Sequence, residues 1–136
     1  GNMDARRDWG HARDYAEGIW RIVQHDEPED FVLATGKTQT VRSFVEAVFR
    51  QVGTDIEWSG TGVDEVGAEK ASGRLLVRVD PRYFRPTEVA HLIGDPRMAR
   101  EKLGWSATTT LPDLISEMVQ ADLKKVAEQH RRNRHE

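Results

Sequence analysis

The chain contains no cysteine. Disulfides, thiol catalysis and cysteine-ligated zinc are therefore excluded, and a reducing, cytoplasmic setting is expected. Long apolar runs are also missing. The longest, such as Phe31-Val32-Leu33-Ala34, reach about four residues where a membrane-spanning helix needs about twenty, so no membrane partner is expected. Asp4, Arg6, Arg7 and Asp8 at the start do not read as a signal peptide, and no repeat is visible. Neither charge sign dominates: 20 basic and 23 acidic residues leave a net charge of −3, which points to no nucleic-acid partner. The two tyrosines lack a lysine four positions on, since Tyr15 is followed by Ile19 and Tyr83 by Thr87. The glycines Gly60, Gly62 and Gly67 fail the G-x-G-x-x-G spacing, and no P-loop or Gly-x-Ser-x-Gly elbow is present. The five histidines show no i, i+4 pair. No catalytic, cofactor-binding or metal-ligating residue is thus expected within the chain.

What remains is a soluble, globular composition with 38% hydrophobic and 32% charged residues over 136 positions, enough for one core. The polar opening, residues 1–11, reads as a loop or short edge strand. Apolar residues at Ala12, Tyr15, Ala16, Ile19, Trp20 and Val23 predict a helix with that apolar stripe. Residues 31–34 read as a short buried strand. Thr40 is an N-cap for a second helix with its stripe at Val41, Phe44, Val45, Val48, Phe49 and Val52, and Gly53 suits its end. Ile56 and Trp58 mark a strand, and residues 59–73 read as a long glycine-rich loop. Residues 74–80 form a strand with Leu75, Val77 and Val79 on one face and Arg74 and Arg78 on the other. Asp95-Pro96 opens a short helix, and Thr110 with Asp113 resembles a capping box for the last. Trp20, Trp58 and Trp105 read as packing residues. The acids Asp26, Glu27, Glu29 and Asp30 read as a solvated turn.

Two polar segments can carry chemistry. Arg6-Arg7-Asp8-Trp9-Gly10-His11-Ala12-Arg13-Asp14 sets cations beside a helix start, which suits a phosphate. It also reads as a self-paired surface cluster. In Asp80-Pro81-Arg82-Tyr83-Phe84-Arg85-Pro86-Thr87-Glu88-Val89, two prolines stiffen the backbone around Arg85. Arg85 and Glu88 read there as a nucleotide handle, guanidinium on phosphate and carboxylate on a ribose diol. They read equally as an ordinary Arg–Glu pair three apart at a helix start.

Taken in order, these segments resemble the GDP-mannose 4,6-dehydratase family. Gly1-Asn2-Met3-Asp4-Ala5-Arg6-Arg7-Asp8-Trp9-Gly10-His11-Ala12 is similar to that family's Gly-Asn-Leu-Asp-Ala-Lys-Arg-Asp-Trp-Gly-His-Ala. Ile56-Glu57-Trp58 with Gly60-Thr61-Gly62-Val63-Asp64-Glu65-Val66-Gly67 resembles its glycine-rich insertion. Val77-Arg78-Val79-Asp80-Pro81 through Arg85-Pro86-Thr87-Glu88-Val89 resembles its most distinctive block. Lys102-Leu103-Gly104-Trp105 is shared more widely among nucleotide-sugar short-chain dehydrogenases. The resemblance runs roughly to Val126.

The resemblance implies an α/β fold: the C-terminal substrate-binding lobe of an extended short-chain dehydrogenase, with the last βα elements of its Rossmann domain. Residues 1–36 would be the terminal helix and strand of the Rossmann half, 37–129 the GDP-sugar lobe and 130–136 a charged tail. It implies an NADP-dependent lyase that oxidises the sugar of GDP-mannose at C4, loses water across C5 and C6, and returns the hydride to C6. Arg7, Arg85 and Glu88 would contact the GDP moiety. The phosphate loop, the Tyr-x-x-x-Lys pair and the acid–base groups would belong to a missing N-terminal Rossmann half. The chain alone would then be inactive, bind no NADP and self-associate as a homo-oligomer through its uncovered apolar faces. Other readings are an epimerase or reductase of the same superfamily and a non-catalytic binding module.

Overall fold

The computed structural model of the chain describes residues 1–85, 89 and 91–133. Its elements are β1 (Arg6–Asp8), α1 (Ala12–Val23), β2 (Thr38–Thr40), α2 (Val41–Gln51), β3 (Ile56–Ser59), β4 (Val66–Glu69), β5 (Leu75–Arg78), α3 (Arg97–Leu103) and α4 (Leu111–Arg132). Short 3-10 turns cover Gly62–Asp64 and Pro81–Tyr83. The result is the mixed α/β arrangement expected, with a two-stranded sheet β1-β2 and a three-stranded sheet β3-β4-β5.

The helices start where short polar side chains accept their first free amides. Thr40 accepts from Ser43 N at 3.0 Å, Thr110 accepts from Asp113 N at 3.3 Å, and Asp95 accepts from Arg97 N at 3.1 Å. The α3 helix begins one residue later than Asp95-Pro96 suggested, with Pro96 as its cap.

Expectations for the strands are corrected as well. Residues 59–73 are not one loop: β4 lies within them and forms the centre of its sheet, pairing with β3 through Ile56↔Glu69 to Ser59↔Val66. The glycine count masked a strand in which Gly67 opposes Trp58. Next, β5 does not alternate cleanly. A register shift between Gly67 and Ala68 sets Val77 and Leu75 opposite them, so Leu76 is extra. Leu75 consequently turns out at 44% exposure, while Val79 is buried. Lastly, residues 31–34 join no ladder among the described residues, and Val32 is 51% exposed.

The α1 helix forms over the expected residues, yet the expected stripe is not its buried face. Ile19, Trp20 and Val23 are 57%, 62% and 73% exposed, and the residues facing inward are Asp14 and Gly18. Trp20 is therefore not a packing residue here, whereas Trp105, at 2% exposure, is. Gly18 explains the choice of face. A Cβ there would sit 2.8 Å from Leu33 Cδ1 and 3.0 Å from Trp105 Cε2, so only glycine lets both side chains reach the helix backbone. Trp105 completes this core with its ring 6.0 Å from Tyr15 and its indole N–H donating to Asp14 O at 2.8 Å. Asp14 carries the other half of the joint: its carboxylate accepts from Thr108 N at 3.0 Å, Thr108 Oγ1 at 3.0 Å and Thr109 N at 2.8 Å. Burial pushes the Asp14 carboxyl up, but these bonds to its charged form outweigh that and hold it below the usual range. Among the described residues no helix is long and apolar enough to cross a membrane.

Candidate functional site

The first basic segment forms β1 because both its edges are occupied. One edge pairs antiparallel with β2, Arg6↔Thr40 to Asp8↔Thr38. Along the other runs the stretch after the proline-rich segment, through a parallel Arg6↔His91 bridge and a 3.2 Å bond from Leu92 N to Arg6 O. Residues 82 apart or more are thereby brought side by side.

Alternation along the strand then sorts the side chains. Arg6 and Asp8 anchor the strand to the 35–38 loop. Arg6 donates through Nε to Thr38 Oγ1 and through Nη2 to Thr38 O, both at 3.1 Å. Asp8 accepts from Thr35 N at 3.0 Å, Thr35 Oγ1 at 2.5 Å and Gly36 N at 2.9 Å. Arg7, half-buried, takes the alternate position. Its Nη1 donates to Arg6 O at 2.8 Å and to Val89 O at 3.0 Å. Trp9 stacks on Phe44 of α2 with ring centroids 4.5 Å apart. It also lines a separate cavity of about 300 Å³ with Lys37 and Thr108 to Thr110, which neither Arg7 nor Arg85 enters.

The helix start after this strand is already capped. His11 Nδ1 accepts from Arg13 N at 3.0 Å, and Arg13 pairs with Glu117 of α4 at 3.5 Å. Arg6, Arg7 and Arg13 all have protein partners for their side chains, and those of Arg7 include Val89 at the end of the second segment.

In that second segment Asp80 caps the Pro81–Tyr83 turn, accepting from Arg82 N at 3.0 Å. The Arg82 guanidinium also donates to it, Nη2 to Oδ2 at 2.6 Å, and this bond is the main reason that the Asp80 carboxyl is held below its ordinary range. Arg82 is so committed within its own turn. Arg85 follows the turn on an exposed position. Glu88 lies outside the described residues. The structure therefore joins Arg7 to the proline-rich segment by way of Val89, and it leaves the Arg85–Glu88 partnership an open expectation.

Sequence reasoning missed Arg42. It lies in the first turn of α2, where its own backbone N–H donates to Met3 O at 2.9 Å. Its side chain bonds Asp4 and Glu65 and stacks over Trp58 at 4.9 Å. Hydrogen bonding to Glu65, and then to Asp4, pushes the Arg42 guanidinium further up. The only sequence signal was a basic residue just inside a predicted N-cap, where the helix dipole disfavours it. Tyr15, for its part, is no candidate base: burial, then the charges of Asp8 and Asp14, push its phenol up. Among the described residues no cluster of His, Asp or Glu could hold a metal ion.

The sequence profile of a family described as GDP-mannose 4,6 dehydratase matches residues 1–118. A GDP-mannose 4,6-dehydratase of Sinorhizobium fredii is 55% identical over 123 residues, which cover 90% of this chain and 35% of that protein. A GDP-mannose 4,6 dehydratase of Drosophila melanogaster is 49% identical over 124 residues, covering 91% and 31%. The chain thus spans about a third of the length of these curated relatives. Among solved structures, RMD from Pseudomonas aeruginosa complexed with NADPH superposes with a TM-score of 0.65 at 16% identity, over 88% of this chain and 33% of that one. This last likeness is one of fold.

Proposed function

The chain belongs to the GDP-mannose 4,6-dehydratase family, and from that premise we propose that it is the portion of such an enzyme that holds the GDP end of GDP-mannose. Arg7 and Arg85 donate charge-assisted hydrogen bonds to the diphosphate, and Glu88 accepts from the ribose hydroxyls. The whole protein converts GDP-mannose to GDP-4-keto-6-deoxymannose in the cytoplasm. The observation that carries this reading is the 3.0 Å bond from Arg7 Nη1 to Val89 O, which brings the two basic segments to one place from 82 residues apart.

NADP belongs, in this reading, to a part of the protein beyond these residues. A dinucleotide needs a glycine-rich turn opening on free helix-start amides. Here the amides that open α2 are taken: Val41 N donates to Ala5 O, Arg42 N to Met3 O and Ser43 N to Thr40 Oγ1. The start of α2 therefore does not fit that group, and the role proposed for these residues is to bind and orient substrate. We assign residues 1–36 to the last elements of a Rossmann half, 37–129 to the substrate lobe and 130–136 to a charged tail. The outward stripe of Ile19, Trp20 and Val23 supports this, as does the ladder-free stretch 31–34. A helix and strand awaiting further sheet would look so.

The experiment is calorimetric titration with GDP. Arg85→Ala is expected to weaken binding about 10-fold or more, since a hydrogen bond between charged groups contributes roughly 1.5–3 kcal/mol. Affinity unchanged within twofold would remove Arg85 from the site.

A further inference from the structure

Arg42 contacts the residues that lead into both segments of the site, Asp4 before the first and Glu65 beside the second, while facing neither phosphate nor sugar in the reading above. On one side its Nε and Nη2 donate to Asp4 Oδ1 at 3.3 and 2.9 Å, in the turn that feeds β1 and Arg7. On the other its Nη1 donates to Glu65 Oε1. Glu65 is only 7% exposed. Its backbone carbonyl accepts from Val79 N at 3.3 Å, and Val79 immediately precedes Asp80, the cap of the turn leading to Arg85. Trp58 closes the arrangement. Its ring lies 4.9 Å under the guanidinium, and its indole N–H donates to Glu46 Oε1 of the same helix at 2.8 Å.

We propose that Arg42 is a positioning residue whose single guanidinium sets the spacing between the strand bearing Arg7 and the segment bearing Arg85, so that nucleotide affinity depends on it without contact. The inference rests on the GDP-binding role assigned to those two arginines. A planar fork holds two carboxylates on separate elements in one fixed geometry; a lysine ammonium has three donors, but on a compact, rotating head that does not fix the distance between them. Without the fork, Glu65 is left as a nearly buried carboxylate lacking its partner, and the β4–β5 edge must shift to hydrate it.

Three variants of the full chain test this: Arg42→Lys, Arg42→Met and, as reference, Arg85→Ala. GDP affinity is read by calorimetry. Spacing is read as the electron–electron distance between spin labels at Gln39→Cys in β2 and Arg78→Cys in β5, which label cleanly because the chain has no cysteine of its own. Both Arg42 variants are expected to weaken GDP about 10-fold and to broaden the distance distribution, with Arg42→Lys still folded by near-ultraviolet circular dichroism. Should Arg42→Met fail to fold, Arg42→Lys alone decides. Affinity within twofold of the parent in Arg42→Lys, while Arg85→Ala loses binding, overturns the positioning role and leaves the GDP reading intact. If the parent chain takes up no GDP, the GDP reading fails. The label distance then judges Arg42: a broadened distribution in Arg42→Lys upholds its spacing role, and an unchanged one overturns it.

Discussion

Replacing Asp14 by alanine should cost the fold about 3 kcal/mol. Asp14 is 7% exposed and its carboxylate accepts three hydrogen bonds, two of them from the backbone amides of Thr108 and Thr109. A hydrogen bond to a charged group contributes roughly 1.5–3 kcal/mol. The Thr108 hydroxyl can turn to water, so two amides at ~1.5–2 kcal/mol each set the loss, and relief from burying a charge trims it. For a chain of this size about 1 kcal/mol moves the melting temperature by roughly 4 °C, so Asp14→Ala should melt about 12 °C lower by circular dichroism. Asp14→Asn retains one acceptor and should lose about half as much. The pH dependence gives an independent check. The Asp14 carboxyl is held below its ordinary value in the folded state. In that case the unfolded chain binds the proton more readily, and stability rises with pH through that range. The contribution is complete above the unfolded value of about 3.9 and disappears as pH falls through the lower folded value. The gap between the parent and Asp14→Asn should therefore close below about pH 4. A drop of less than ~3 °C for Asp14→Ala at pH 7, or a gap indifferent to pH, would show that the α1–Thr108 joint does not stabilise the core as reasoned.

Further outcomes concern the glycine-rich insertion and the bare helix face. Gly60 has φ +77°, and a Cβ there would lie 2.3 Å from the Asp64 carbonyl oxygen, whereas at Gly73, φ +72°, it would meet nothing within 4 Å. Gly60→Ala should thus cost about 1 kcal/mol or more beyond Gly73→Ala in urea unfolding, since both lose the left-handed preference but only one adds a backbone clash; equal costs would refute the close approach. Ile19→Glu with Trp20→Glu should leave stability within ~0.5 kcal/mol, because both side chains already face solvent. It should also abolish self-association by sedimentation velocity. A parent chain that stays monomeric at high concentration, or a double variant that associates as the parent does, would discard α1 as an association face.

Much of the molecule is determined locally and is legible without coordinates. Thr40, Asp95, Thr110 and Gly53 mark helix ends because capping involves atoms a few residues apart, and the residue order alone specifies it. The extents of α1 and α2 follow from apolar spacing in the same way, and the family follows from blocks such as Arg85-Pro86-Thr87-Glu88-Val89. What periodicity leaves open is which side of a helix the rest of the chain covers. The stripe of Ile19, Trp20 and Val23 marks an apolar face, but Leu33 and Trp105 reach the helix at Gly18, on the opposite side, because only there is no side chain in the way. Glycine counting hid β4, since a strand's ladder partners lie outside its own residues. Arg42 stayed silent for the same reason: Asp4 and Glu65, 38 and 23 positions away, become its neighbours only once β1 and β4 have been laid against α2. The sequence by itself therefore determined the elements, their caps and the family. The tertiary structure alone decided which apolar face is bare, and that one guanidinium holds two distant segments together, because burial and long-range pairing exist only after distant parts of the chain have met.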